Sequence, residues 1–238
     1  PDAFKAARAL ALKGFNLTLP HKEEAVKLVD ELVGDAESVG AVNVVANRGG
    51  RLVGHNTDVL AVRRALEGAR VSLKNERVIV LGAGGAARAA AFALGGAGAA
   101  EVIVSNRTFS RAADVANAFS QKGLEVFASP LTPAALRELV PGAKLVLNAT
   151  SVGLNQAERS PLPEDALFRE DAVAVDMVYR PLRTKFLRQA REQGIQSIDG
   201  LEILVQQALG ALQVWLNRPI DAARLAPTMR AAALEALV

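Results

Sequence analysis

Val78-Ile79-Val80-Leu81-Gly82-Ala83-Gly84-Gly85-Ala86-Ala87-Arg88 is the stretch that decides how this chain folds. A short, wholly apolar run breaks on glycines and passes into alanines, which reads as a buried strand, a tight turn and the start of a helix. Gly82 permits the turn, Gly84 lets backbone amides approach an anion, and Ala87 keeps the helix close to the strand. The spacing G-x-G-x-x-A between a strand and a helix is what a dinucleotide pyrophosphate needs. Without that context it would be no more than a glycine-rich turn.

Outward from this stretch the chain alternates short β-branched runs with longer amphipathic ones, the pattern of repeated βα units feeding a parallel sheet. Strands are expected at Arg77–Leu81, Glu101–Ser105, Glu125–Ala128, Lys144–Ala149, Ala172–Asp176 and Gln196–Ile198. Helices are expected at Ala86–Leu94, Ser110–Gln121, Pro133–Leu139 and Arg183–Gln193, with Gly123, Gly142 and Gly194 as stops. Right-handed crossovers make this an α/β, doubly wound, Rossmann-like sheet.

The first 70 residues differ. They read as a helix to Leu12, a strand Phe15–Leu19, a helix Lys22–Val33, and strands Ala41–Ala46 and Arg51–Gly54 joined through the turn cluster Asn47–Gly50 as a hairpin. After Gly200 the chain turns helical, broken at Asn217-Arg218-Pro219. The expected division is a smaller α/β lobe over residues 1–57, a nucleotide lobe over 58–199, and C-terminal helices over 200–238 that return to the smaller lobe.

Composition narrows the partners. Of 238 residues half are hydrophobic, 22% are charged, 28 are Lys or Arg against 25 Asp or Glu, and none is cysteine. Disulfides and thiolate ligands are therefore excluded, and a cytoplasmic setting is expected. The longest apolar tract is interrupted by Arg88 and Gly95-Gly96, so no membrane helix is expected, and no apolar h-region follows a basic start. Basic residues are interspersed and only ten residues are Phe, Trp or Tyr, which offers nucleic acid little to stack on. The two histidines, His21 and His55, stand without a carboxylate pair at ligand spacing, so no metal is expected.

The strand after the glycine turn ends in Ser105-Asn106-Arg107-Thr108, with Arg111 one turn on. An NAD site usually carries Asp or Glu there; none is present, and Glu101 opens the strand at its wrong end. Guanidinium groups offer forked donors for a 2′-phosphate, which argues for NADP. The bland alternative is a helix cap at Thr108 with two solvated arginines. Asn148-Ala149-Thr150-Ser151-Val152-Gly153 leaves another strand at the end where ligands of open sheets collect.

Gly14-Phe15-Asn16-Leu17-Thr18-Leu19-Pro20-His21-Lys22 sets a lysine at the mouth of the smaller lobe, and Gly54-His55-Asn56-Thr57-Asp58 sets a carboxylate where the lobes meet. With Gly40-Ala41-Val42-Asn43, the glycine turn, N-R-T, N-A-T-S-V-G, Asp176-Met177-Val178-Tyr179-Arg180-Pro181 and the late Gln207-Ala208, the ordered set from Gly14 to about Trp215 closely resembles the shikimate dehydrogenase family. The resemblance implies reversible, NADP-dependent reduction of 3-dehydroshikimate to shikimate, in a monomer or homodimer. It maps the acid/base pair onto Lys22 and Asp58, and substrate contacts onto Thr18, Asn43, Tyr179 and Gln207. Cofactor contacts map onto Gly82, Ala83, Gly84, Gly85, Ala86, Asn106, Arg107, Thr108, Arg111, Thr150, Met177 and Gly200.

Bland readings stand beside these. Lys22 and Asp58 can be a surface ion pair, Asn43 a satisfied strand edge, Tyr179 core packing, and Gln206 the exposed twin of Gln207. Three positions depart from the family pattern: Val44 for threonine, Ala61 for glycine and Ile203 for methionine. The family also carries an upstream S-x-S loop for the substrate carboxylate. Nothing before Gly14 supplies it, so residues upstream are expected to be missing here. The alternatives within reach are a quinate/shikimate dehydrogenase of broader specificity and a noncatalytic NADP-binding paralogue.

Overall fold

The computed structural model of the chain describes residues 2–237. Its smaller lobe begins with α1 (Asp2–Ala9) and β1 (Gly14–Asn16), followed by β2 (Glu31–Leu32), α2 (Asp35–Val39), β3 (Val44–Arg48) and β4 (Arg51–His55). The four strands form one mixed sheet in the order β1-β3-β4-β2. β3 and β4 make the expected hairpin with Arg48 opposite Arg51, so Gly49 and Gly50 alone form the turn, both at positive φ. Asn47 accepts the Gly50 N–H at 2.7 Å and closes it. Phe4, Val42, Val45 and Leu52 fill the lobe's own core.

One expected helix is not there. Residues 22–33 give a single 3-10 turn, Glu24–Lys27, and then β2. The apolar spacing suits a helix, but the second half is captured by β4: Asp30 N–H bonds Leu52 O, Val33 N–H bonds Gly54 O, and Glu31–Leu32 pairs in parallel with Val53–Gly54. Tertiary pairing overrides the local preference of a segment rich in valine.

A helix that sequence reading passed over, α3 (Asp58–Gly68), links the lobes. The larger lobe is a six-stranded, all-parallel sheet of β5 (Arg77–Leu81), β6 (Glu101–Asn106), β7 (Val126–Pro130), β8 (Leu145–Asn148), β9 (Val173–Asp176) and β10 (Gln196–Ile198). The order is β10-β9-β8-β5-β6-β7, so the chain reverses direction between β5 and β8, and a crevice opens there at the strand ends. The central strands are buried on both faces: Val78 and Val80 point into one core cluster, Ile79 and Leu81 into the other. Each such side chain stabilises the fold by roughly 1.5–3 kcal/mol.

Helices α4 (Gly85–Gly96), α5 (Phe109–Ser120), α6 (Pro133–Leu139) and α7 (Lys185–Glu192) cover the sheet. α4 presents Ala87, Ala90, Ala91 and Leu94 to it, all fully buried, and the small side chains let helix and strands approach closely. Helix α8 (Gly200–Leu216) then returns to the smaller lobe, where Trp215 Nε1 donates to Val45 O at 3.1 Å and Arg48 donates to Val214 O at 2.5 Å. Asn217 turns the chain at positive φ into α9 (Ala222–Leu237), which packs on α8. Arg88 of α4 donates to Val39 O at 2.7 Å, bolting the glycine-turn helix to the C-terminal end of α2. Among the described residues no helix is long and apolar enough to cross a membrane, and no cluster of His, Asp and Glu is placed to hold a metal ion.

Asp176 ties the ends of β8 and β9 to α7. It is fully buried; its carboxylate accepts from Asn148 Nδ2 and Val178 N–H at 2.9 Å each and from Thr184 Oγ1 at 2.5 Å. Burial raises its pKa to about 6 against the opposing pull of those three donors. A carboxyl whose folded pKa lies above its unfolded value favours the fold fully below the unfolded value, and that contribution is lost as pH rises through about 6. Asparagine can keep the two bonds to its oxygen and reverse the third, its amide donating to Thr184 Oγ1, without the charge. Asp176→Asn is therefore expected to gain on the parent protein in melting temperature by about 5 °C between pH 4 and pH 7, followed by circular dichroism; a difference independent of pH would show that the carboxyl titrates normally.

Candidate active site

The pair expected to do acid/base work is buried, close and shared between the lobes. Lys22 Nζ donates to Asp58 Oδ2 at 2.6 Å, with the lysine 8% and the aspartate 0% exposed. The surface-pair reading is therefore excluded by burial. Lys22 sits in the turn after Pro20, its carbonyl accepting the Val42 N–H at 2.8 Å. Its stem rests on the glycine turn: a Cβ at Gly85 would fall 2.9 Å from Lys22 Cβ, a separation that carbon atoms do not tolerate.

Asp58 is the first residue of α3, not the end of a strand, and the positive end of the helix dipole favours its charge. Asn56 Oδ1 accepts the N–H groups of Asp58 and Val59 at 3.0 and 3.3 Å, doing the work of a helix cap. Asn43 completes the support. Its Nδ2 donates to Asp58 Oδ1 at 2.9 Å and Thr57 Oγ1 at 3.0 Å, while its Oδ1 accepts the Thr57 N–H at 2.8 Å. Both carboxylate oxygens are thus engaged. Loss of one member of a buried pair of this kind costs about 3–5 kcal/mol, since the other charge is left uncompensated.

A cavity of about 330 Å³ opens over the pair. Thr18 and Lys22 line it from the smaller lobe; Asp58 lines it from the start of α3; Ala86, Thr150, Met177 and Tyr179 line it from the larger lobe; Gly200, Ile203 and Gln207 line it from α8. Asn43 is not in the wall but behind Asp58, with its amide fully committed. Gln206 is not the exposed twin of Gln207: it is buried and bonds Glu202 at 2.9 Å one turn back, whereas Gln207 follows Ile203 onto the cavity face. Ser151 and Leu204 also reach the wall, and Asn56 supports it; for Asn56 the signal was the Asn-Thr-Asp run before Val59, Val62 and Leu66 at helical spacing. A more open hollow of about 600 Å³ lies elsewhere, between His55, Leu60 and Gln213, and neither Lys22 nor the glycine turn borders it.

The glycine turn stands where the sheet reverses. Gly82 has φ +112°, and a Cβ there would approach Ala149 O to 3.0 Å, so both backbone and space call for glycine. Gly84 caps α4 in an extended conformation without any side-chain bond, which leaves the first amides of the helix for an anion. Thr150 is held against it by Asn148 Oδ1, which accepts its N–H at 3.0 Å and its hydroxyl at 2.7 Å.

Gly82 N–H bonds Ser105 O at 2.8 Å, so the end of β6 adjoins the turn. There Asn106 donates to Thr108 O at 2.9 Å, and Arg107, Thr108 and Arg111 are exposed. Thr108 takes the cap position of α5, yet its side chain makes no capping bond, which leaves the hydroxyl free for a ligand. Arg111 Nη2 donates to Glu23 Oε1 of the opposite lobe at 3.0 Å. Glu101 lies at the other end of the sheet, paired with Arg77. Bare amides, open glycines and cationic side chains, with no carboxylate at the C-terminal end of β6, form a donor set that fits a dinucleotide bearing a 2′-phosphate.

Comparison with known proteins agrees with this geometry. Residues 1–45 match the family model described as the shikimate dehydrogenase substrate binding domain, and residues 63–177 match the one described as shikimate / quinate 5-dehydrogenase. The NADP(+) shikimate dehydrogenase of Symbiobacterium thermophilum is 42% identical over 242 residues, covering 99% of this chain and 80% of the relative. The crystal structure of shikimate 5-dehydrogenase from Thermus thermophilus in complex with NADP(H) and shikimate superposes with a TM-score of 0.83 at 42% identity, covering 98% of this chain and 83% of that one. Quinate dehydrogenase from Corynebacterium glutamicum in complex with NAD superposes with a TM-score of 0.87 at 30% identity, covering 98% and 82%. An ordered motif set, a reversing parallel sheet and near-full-length identity all converge: the chain belongs to the shikimate dehydrogenase family.

Proposed function

We propose that this protein catalyses the reversible, NADP-dependent reduction of 3-dehydroshikimate to shikimate. The observation that carries the reading is the buried Lys22–Asp58 pair, opening into a cavity whose far wall continues to the glycine turn. Residues 1–57 then act as the substrate lobe, 58–199 as the NADP lobe, and 200–238 as helices that return Gln207 to the substrate.

The first amides of α4 receive the pyrophosphate, and Arg107, Thr108 and Arg111 hold the 2′-phosphate, with Asn106 shaping their loop. Thr150, Met177 and Gly200 line the cavity on the side of the nucleotide lobe, and the nicotinamide belongs against them. When bound, NADPH supplies hydride to the ring ketone. Lys22 hydrogen-bonds the ketone oxygen, stabilises the negative charge that develops on it and donates a proton to give the alcohol. In the reverse direction the same nitrogen takes the hydroxyl proton. Asp58 aims the ammonium, and Asn43 and Asn56 fix Asp58 in turn. Thr18, Tyr179 and Gln207 offer hydroxyl and amide groups to the ring hydroxyls.

Absorbance at the reduced-nicotinamide band, with shikimate or quinate and with NADP or NAD, tests the reading; NADP reduction strongest with shikimate is expected, quinate preference would move the protein to that branch of the family, and cofactor binding without turnover would make it a binding paralogue. Lys22→Ala is expected to cut turnover at least about 100-fold while NADP still binds nearly as before. Full turnover in that variant would remove Lys22 from the mechanism. Arg107→Asp is expected to abolish the preference for NADP over NAD in binding titrations, and a preference that survives would relocate the phosphate site.

A further inference from the structure

Glu23 follows directly on Lys22 and belongs to neither the proton-transfer pair nor the expected cofactor contacts, yet it is the acidic side chain that reaches across the cleft to the nucleotide lobe's phosphate-binding edge. Its Oε1 accepts from Arg111 Nη2 at 3.0 Å, and the same oxygen lies 3.9 Å from where a Gly84 Cβ would stand. The carboxylate is therefore set between the guanidinium and the start of α4. Both are places that an anionic ligand would occupy. Elsewhere among the described residues, the contacts between the lobes on this side stand away from the head of α4 and are not ones that a nucleotide contests: Arg88 donates to Val39 O, Lys122 to Ser38 O, and Arg63 pairs with Asp35.

We propose that Glu23 tunes cofactor discrimination, by occupying Arg111 and so weakening the protein's hold on the 2′-phosphate of NADP. The inference rests on the reading that Arg111 contacts that phosphate. A phosphate taken up on the free donors of the same guanidinium stands beside the carboxylate, two like charges on one cation; a phosphate that takes Nη2 must first break the existing bond. Either way Glu23 opposes NADP more than NAD, which carries no 2′-phosphate. Glu23 acts through Arg111, as a positioning residue that sets selectivity and has no part in chemistry. Its half-exposed side chain can be changed without disturbing the core.

The experiment is isothermal titration of NADP and of NAD into four proteins: the parent, Glu23→Gln, Arg111→Ala and the double variant. Glu23→Gln is expected to tighten NADP about five-fold and NAD by about two-fold or less, and the excess for NADP is expected to vanish in the Arg111→Ala background. Unchanged or weaker NADP binding in Glu23→Gln would overturn the proposal, since Glu23 would then close over the cofactor instead of opposing it. Two results separate this inference from the reading beneath it. If Arg111→Ala lowers the NADP preference while Glu23→Gln leaves it alone, only the role of Glu23 falls; if Arg111→Ala leaves the preference intact, Arg111 is not a phosphate ligand and both fall.

Discussion

A lysine and an aspartate hidden from water between two lobes constrain much of the rest of this structure. Neither charge is tolerable there alone, so the fold must bring the residue-22 turn and the start of α3 together within hydrogen-bonding distance. That requirement explains the local chemistry around Asp58. The helix dipole and the Asn43 amide act on one carboxylate, each compensating a part of the charge that water would otherwise solvate, while Asn56 holds the backbone amides that carry it. The outcome is a cation aimed into a cavity by fixed groups, with little reorganisation left for the moment of reaction.

The nucleotide side is built differently. Where the sheet reverses, backbone does most of the work, through amides at the head of α4 and a glycine turn pressed on Ala149. Behind it a polar relay runs from Thr184 through Asp176 and Asn148 to Thr150, so that a wall residue of the cavity is positioned by a buried carboxyl two side chains away. Alanines on α4 allow this closeness. Larger side chains there would lift the helix, and with it the anion-facing amides, away from the strands.

Much of this was legible beforehand, and the failures have physical causes. The parallel strands announced themselves because strands buried on both faces are continuously apolar, and the glycine turn because few other sequences serve a tight strand-to-helix passage. Residues 22–33 misled because their apolar spacing suits a helix while their partner, β4, lies some twenty residues further on; periodicity carries no information about such pairing. Helix α3 was missed because Asn56, Thr57 and Asp58 read first as chemistry. They are also its cap. Asn43 and Gln206 show the same limit at the level of one side chain: a polar residue near a site can face the ligand or face its neighbour, and only coordinates distinguish the two.

The stem of Lys22 lying on Gly85 has a mechanical meaning. The lobes meet there beside the reacting centre with no side chain between the helix backbone and the lysine stem, so the reach of the ammonium into the cavity is fixed by carbon packed directly on carbon. A glycine, contributing nothing but the lack of a side chain, is what lets the two lobes meet so near the chemistry.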